Sequence, residues 1–258
     1  MNKYLLFFVL ILVKQLGFAQ RCSHQHASFK SSHASRLDTI DILHHHIQLD
    51  FTTFSAATFK GHSQVQVRIV QPTSQLHFDL EGLSVDSVKI GGVNYFFDLV
   101  NQGFVVLNAG AWITDDTVEV DVWYGGHPIT DPTWGGFYYN SQYAYNMGVG
   151  FDADPHCLGR AWHPCIDDFN DRATYDIEVE TLTAHRAICG GILISEEVLP
   201  NTHRRSSWHL EQPIPSYLAS VAIGSYVHTE DEWVSEDGDV LPIWLASKAT
   251  DTTNFKNS

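Results

Sequence analysis

Cysteine is scarce in this chain: 258 residues hold four, at Cys22, Cys157, Cys165 and Cys189. A disulfide-stapled scaffold is therefore excluded, and the fold must rest on a core. In an oxidising compartment Cys165 could pair with Cys189, or Cys157 with Cys165, and free buried thiols fit equally well. Cations are scarce too, with 15 Lys and Arg against 30 Asp and Glu. Phosphate backbones are bound through clustered Lys and Arg, so the balance argues against DNA or RNA as a partner. Methionine occurs only at Met1 and Met147. None of the 15 histidines is followed by glutamate, so the helical zinc motif HExxH is absent. A GxSxG elbow and a P-loop are missing as well. No stretch of a dozen residues keeps a helical period, and the one apolar run, Tyr4 to Val13, is at roughly ten residues too short to span a bilayer.

That run has another reading. Asn2 and Lys3 give a polar, positive start, and Gly17-Phe18-Ala19 supplies small residues before Gln20. Residues 1–19 are predicted to be a signal peptide, and the mature chain to be exported, periplasmic or secreted. Arg21 before Cys22 argues against a lipid anchor. Residues 20–38 are rich in Ser, His and Lys and read as a flexible leader. No membrane span is expected once the signal is removed.

From residue 39 to 247 the period is two. Val65, Val67 and Ile69 alternate with Gln64, Gln66 and Arg68. Val118, Val120 and Val122 alternate with Glu119 and Asp121, and Tyr175, Ile177 and Val179 with Asp176 and Glu178. Such strands place one face on a core and one in water. Ile40, Ile42, Leu49 and Phe51 mark a long first strand, read as interrupted by His44-His45-His46. Gly91-Gly92, Gly125-Gly126 and Pro213-Ile214-Pro215 are turn signals. The predicted fold is all-β, a large antiparallel β-sandwich or saddle. Trp134 to Asp171 reads as one long loop, and residues 248–258 as the start of a linker.

Three clusters carry candidate chemistry. Of His44-His45-His46, only His44 and His46 share a strand face, and no acid or sulfur ligand sits at a suggestive spacing, so they read as outward polar positions. His156-Cys157 and His163-x-Cys165 offer zinc-type ligands, but their spacing matches no ribbon or finger, and Trp162, Pro164 and Phe169 beside them look like packing. Asp167-Asp168 and Asp171 read as capping carboxylates, or as partners of Arg160 or Arg172.

The stretches Gly136-Phe137-Tyr138, Tyr143-Ala144-Tyr145, Arg160-Ala161-Trp162-His163-Pro164-Cys165-Ile166-Asp167 and Ala173-Thr174-Tyr175-Asp176-Ile177 resemble the N-terminal β-domain of the M1 zinc aminopeptidases. Asp41 to Asp50 is similar to that family's opening strand, and Trp208-His209-Leu210 with Pro213 to Ala219 to its closing segment. The resemblance implies a cleft-forming domain of a peptidase that removes N-terminal residues from peptides, working with a downstream thermolysin-like domain. That domain would carry zinc on HExxH and a Gly-x-Met-Glu-Asn segment for the substrate amine. This chain has neither, so it is expected to be a fragment that is inactive alone, with no catalytic residue and no metal ligand of its own. The family places a Gln or Glu in the loop before the Arg-aromatic-Pro-Cys turn. This sequence has none there, and the resemblance passes substrate contact to Met147, Gly148, Val149, Asp152 and Asp154. The alternative is a non-catalytic exported module that binds peptide, glycan or protein through the aromatic stretch Trp134 to Tyr145.

Overall fold

The computed structural model describes residues 36–140 and 142–251. The predicted signal peptide, Cys22, nearly all of the predicted leader and the last seven residues lie outside the described residues. Seventeen strands follow one another: β1 Ile40–Asp50, β2 Phe59–Ile69, β3 Thr73–Asp79, β4 Ser84–Ile90, β5 Val93–Asn94, β6 Phe96–Val100, β7 Gly103–Trp112, β8 Thr117–Gly126 and β9 Gly135–Tyr139, then β10 Tyr143–Gly150, β11 Ala173–Leu182, β12 Arg186–Cys189, β13 Ile192–Val198, β14 His203–Ile214, β15 Val221–Gly224, β16 Val227–Val234 and β17 Val240–Ser247. Short 3-10 turns lie at Phe54–Ala56, Gly159–Ala161 and Ser216–Leu218, and Arg36 and Leu37 are helical where the described residues begin. No described helix is long and apolar enough to cross a membrane.

Eight strands form the main sheet, in the order β13-β14-β11-β1-β2-β8-β4-β5. All its pairings are antiparallel except β1 with β11, which run parallel. The alternating sequences explain its two faces. Ile47, Val65, Val120 and Ile177 point inward and are buried, while their neighbours point to water. Each fully buried aliphatic or aromatic side chain contributes about 1.5–3 kcal/mol, so the inward face sets which way each strand turns. A four-stranded sheet, β12-β15-β10-β9, and a three-stranded sheet, β3-β7-β6, share the same core. Phe137 of the first lies 5.6 Å from Phe59, centroid to centroid, and Phe78 stacks on Phe104 at 5.4 Å within the second. β16 and β17 form a separate hairpin. The all-β reading holds.

Two local readings need correction. The histidine run does not interrupt β1. The strand continues through it, with a shift of register between Ile42 and His44 that turns His45 inward and His44 and His46 outward. The stretch from Trp134 to Asp171 is not one loop either. It contains β9, β10 and a 3-10 turn. Its glycines hid the alternation, because they lack the side chains that carry a period-two pattern. Gly135 has φ 123°, and a Cβ there would stand 1.9 Å from the Val149 carbonyl oxygen, so the two strands approach where only glycine fits.

Candidate functional site

β10 leads into the site. Tyr145, on its outward side, stacks on Tyr138 of β9 at 5.3 Å, and the Tyr138 hydroxyl accepts from the Gly135 amide at 3.0 Å. The Asn146 side chain ties β10 to β15, donating to the Ala219 carbonyl at 2.9 Å and accepting from the Val221 amide at 2.8 Å. Beside these lies an open cavity of about 410 Å³, lined by Tyr145, Asn146, Ile188, Cys189, Val221 and Tyr226 among others.

Met147, Gly148 and Val149 stand on the last part of β10 and are half-buried. Gly148 packs on backbone: a Cβ there would lie 1.8 Å from the Tyr217 carbonyl oxygen. After Gly150 the chain leaves the sheet and returns, the Gly150 amide donating to the His156 carbonyl at 3.2 Å and Val149 bridging to Cys157. The excursion, residues 151–156, forms a lip. Phe151 at its start is 66% exposed and packs edge-on against Trp134 at 6.1 Å, itself 41% exposed. Asp152 and Asp154 are exposed on the same lip, Asp152 accepting from the Thr133 hydroxyl at 2.7 Å.

One residue that sequence reasoning missed organises this lip. Asp131 accepts four backbone amides: Thr133 and Trp134 at 3.0 Å each on one oxygen, Asp152 at 2.9 Å and Ala153 at 2.8 Å on the other. Desolvation pushes its carboxyl up, but the four amides outweigh it and hold it below the ordinary carboxylate range. The Asp131-Pro132-Thr133-Trp134 sequence carried a signal, since an Asp before Pro favours an Asx-type turn.

Behind the lip, the turn from Gly159 to Asp167 is sealed. Arg160 is 2% exposed and Asp167 fully buried, and their side chains meet at 2.9 Å. Arg160 also donates to Glu81 at 2.8 Å and to the Cys157 carbonyl at 2.5 Å. Asp167 accepts the Ser216 hydroxyl at 2.6 Å and the Gly159 amide at 3.1 Å, while its own amide reaches Asp79, which Arg36 clamps at 2.7 and 3.1 Å. Burial lifts the Asp167 carboxyl, and Arg160 and Ser216 pull against it. Asp171 accepts the Ile42 amide at 3.4 Å, and burial pushes its carboxyl up to about 7. Asp167 and Asp171 thus build the turn, as the structural reading of these acids expects. His163 is fully buried against His45, ring centroids 5.0 Å apart, and burial pulls its pKa down to about 4. Cys157, Cys165 and Cys189 are free, buried thiols whose pKa values burial raises. Neither proposed disulfide among them forms, and the His–Cys segments do not make a zinc site. Among the described residues, no three His, Cys, Asp or Glu side chains converge on one point.

This fold and this turn have relatives. Residues 42–218 match the family described as the Peptidase M1 N-terminal domain. The chain belongs to that family. Among solved structures it is similar to the M1 zinc metallopeptidase from Deinococcus radiodurans, at 18% identity and a TM-score of 0.71 over 80% of this chain and 47% of that one. A mutant of that metallopeptidase bound to a Tyr-Ser-Ala substrate gives 19% identity and a TM-score of 0.72, over 82% of this chain and 48% of the other. Aminopeptidase A of Legionella pneumophila, in complex with aspartic acid, gives 15% and 0.70, over 83% and 25%. At these identities the likeness is one of fold. The chain spans about half the length of the Deinococcus structures and a quarter of the Legionella one. No curated protein sequence matches it.

Proposed function

We propose that this M1 N-terminal domain forms one wall of the substrate cleft of an exported zinc aminopeptidase and docks on that enzyme's thermolysin-like catalytic domain. The observation that carries the reading is the family match across 42–218, joined to a polar lip and aromatic rim at the end of β10. Met147 and Val149 would offer the apolar wall, and Gly148 would hold the end of β10 in place. Asp152 and Asp154 would face the positively charged N-terminus of a peptide, to which a carboxylate is the natural complement. Asp131 positions the lip but is fully committed to backbone amides, so it is not a contact residue.

Zinc would be supplied with its ligands by the catalytic domain. The described residues do not fit it, because no three potential ligands converge and the buried histidines and thiols are packed among apolar groups. The chain by itself is therefore inactive in this reading. An aminoacyl-anilide assay on the purified 258-residue protein with added zinc is expected to give no turnover. Release of anilide in proportion to protein would overturn the proposal.

A further inference from the structure

Two sheet edges of this fold are built differently. β13, the outer strand of the main sheet, is protected. A register shift between Leu193 and Ser195 bends it, and it carries Glu196 and Glu197, with Glu196 held by Arg204 at 2.6 Å and Arg186 at 3.3 Å. Bulges and charges of this kind keep an edge from pairing with another chain. β6, the outer strand of the three-stranded sheet, has no bulge and no lysine, arginine or proline. Its five residues, Phe96-Phe97-Asp98-Leu99-Val100, pair in an unbroken ladder with β7 from Leu107 back to Gly103, and no described strand pairs with its other side. The backbone groups of alternate β6 residues therefore point away from β7 with no strand to meet them. The side chains show the same incompleteness. Phe78 of β3, Phe104 of β7 and Leu99 of β6 form one row across the inner face of this sheet, and Leu76, Val106 and Phe97 form the next. Phe78 and Phe104 are sealed, yet Leu99 at the end of their row is 72% exposed. Phe96, on the opposite face of β6, is 87% exposed. A strand added beside β6, at the usual spacing of about 4.8 Å, would continue both rows and cover Leu99.

We propose that β6 is a strand-addition site for an extended peptide segment of the pattern apolar, Lys or Arg, apolar. Main-chain hydrogen bonds to the open edge select an extended segment over a helix and supply the affinity. The side chains set the sequence. Residues opposite Phe97 and Leu99 share the inner face with them, where apolar groups are covered. The residue between those two stands opposite Asp98. The exposed Asp98 carboxylate is the only charge on the strand, and opposite charges across a strand pair attract. The same carboxylate disfavours a second copy of the chain, because a two-fold antiparallel pair using all five residues sets Asp98 against Asp98. The site goes beyond the cleft reading and is independent of it, since β6 belongs to the three-stranded sheet and the lip follows β10 of the four-stranded one.

The test is a nuclear magnetic resonance titration of the 258-residue protein with the capped peptide acetyl-Thr-Val-Lys-Val-Thr-amide, and separately with its Thr-Val-Glu-Val-Thr counterpart. The lysine peptide is expected to give saturable shifts centred on the amides of 96–100 and 103–107, with slowed hydrogen exchange at alternate amides of β6. The glutamate peptide should bind about fivefold more weakly. Asp98→Lys changes an exposed side chain, so it should keep the melting temperature and reverse the preference between the two peptides. Leu99→Asn should weaken both. Absence of saturable binding of the lysine peptide overturns the proposal, as does a preference that Asp98→Lys leaves unchanged. Concentration-dependent self-association in the ultracentrifuge that Leu99→Asn removes also overturns it, and would assign the edge to a second copy.

Discussion

Between β10 and β11 the chain makes the lip, residues 151–156, and then the turn from Gly159 to Asp167. Both are short and irregular, and both carry an acid, a proline and a histidine. In the turn every charged group is buried and answered, Arg160 by Glu81 and Asp167, Asp167 by Arg160, Ser216 and two amides. In the lip the carboxylates of Asp152 and Asp154 stay in water, and a single buried acid, Asp131, holds the backbone. The two segments use polar residues for different ends. A charge sealed in a core must be fully satisfied and then serves the fold, whereas a charge left on a braced, exposed loop remains available to a ligand.

The turn is the more vulnerable of the two segments. Asp167→Ala strands the buried Arg160 guanidinium and should cost about 3–5 kcal/mol, read as a fall in the urea midpoint. The corresponding loss at Asp152, which has a solvated carboxylate, should be too small to move the midpoint measurably.

The next effect concerns acid. His163 has a folded pKa of about 4, below its ordinary value near 6.5, because it is buried. The unfolded chain therefore binds the proton more readily. Stability is full above pH 6.5 and falls as the pH drops towards 4, by about 2–4 kcal/mol if the histidine is forced to ionise in the unfolded state alone. His45, also lowered by burial, adds to the same slope. Asp171, raised to about 7, gives a slope of the opposite sign over the same window, so the His163 contribution is read as the difference between denaturant titrations of the parent chain and His163→Phe from pH 7.5 to 4.5, the variant losing less stability towards acid. A slope unchanged by that substitution would mean the titrating group lies elsewhere.

A smaller effect sharpens the lip. Asp131→Ala should lower the melt by less than Asp167→Ala does and release the backbone amides of Asp152 and Ala153. Hydrogen exchange is expected to quicken at those amides and not at Gly159 or Arg160. Equal acceleration in both segments would show that lip and turn are one unit.

Much of this was legible in the sequence, and the boundary of legibility has a physical cause. The valines of β2 and β8 announced their strands because alternation survives wherever one face is buried. The Arg160 to Asp167 motif carried the family resemblance, and the acids there were read as caps or as partners of Arg160 or Arg172. β9 and β10 were misread as loop because Gly135, Gly136, Gly148 and Gly150 remove the side chains on which alternation depends. Asp131-Pro132 signalled a local turn onto the Thr133 and Trp134 amides, but the role of Asp131 in the lip was passed over because the other two amides it accepts, those of Asp152 and Ala153, lie about twenty residues away. The parallel pairing of β1 with β11, which brings Asp176 between His46 and His209, was likewise beyond any local signal.

The central claim is that the lip, and not the turn, meets the amino end of a peptide. The direct measurement is a nuclear magnetic resonance titration of the 258-residue protein with a tripeptide bearing a free N-terminus and with the same tripeptide N-acetylated. The account predicts that the free amine shifts the amides of Met147, Val149, Asp152 and Asp154 together with the Trp134 indole, and that acetylation or Asp152→Asn with Asp154→Asn abolishes the response. Equal shifts from both peptides, or shifts confined to residues remote from the lip, would contradict it.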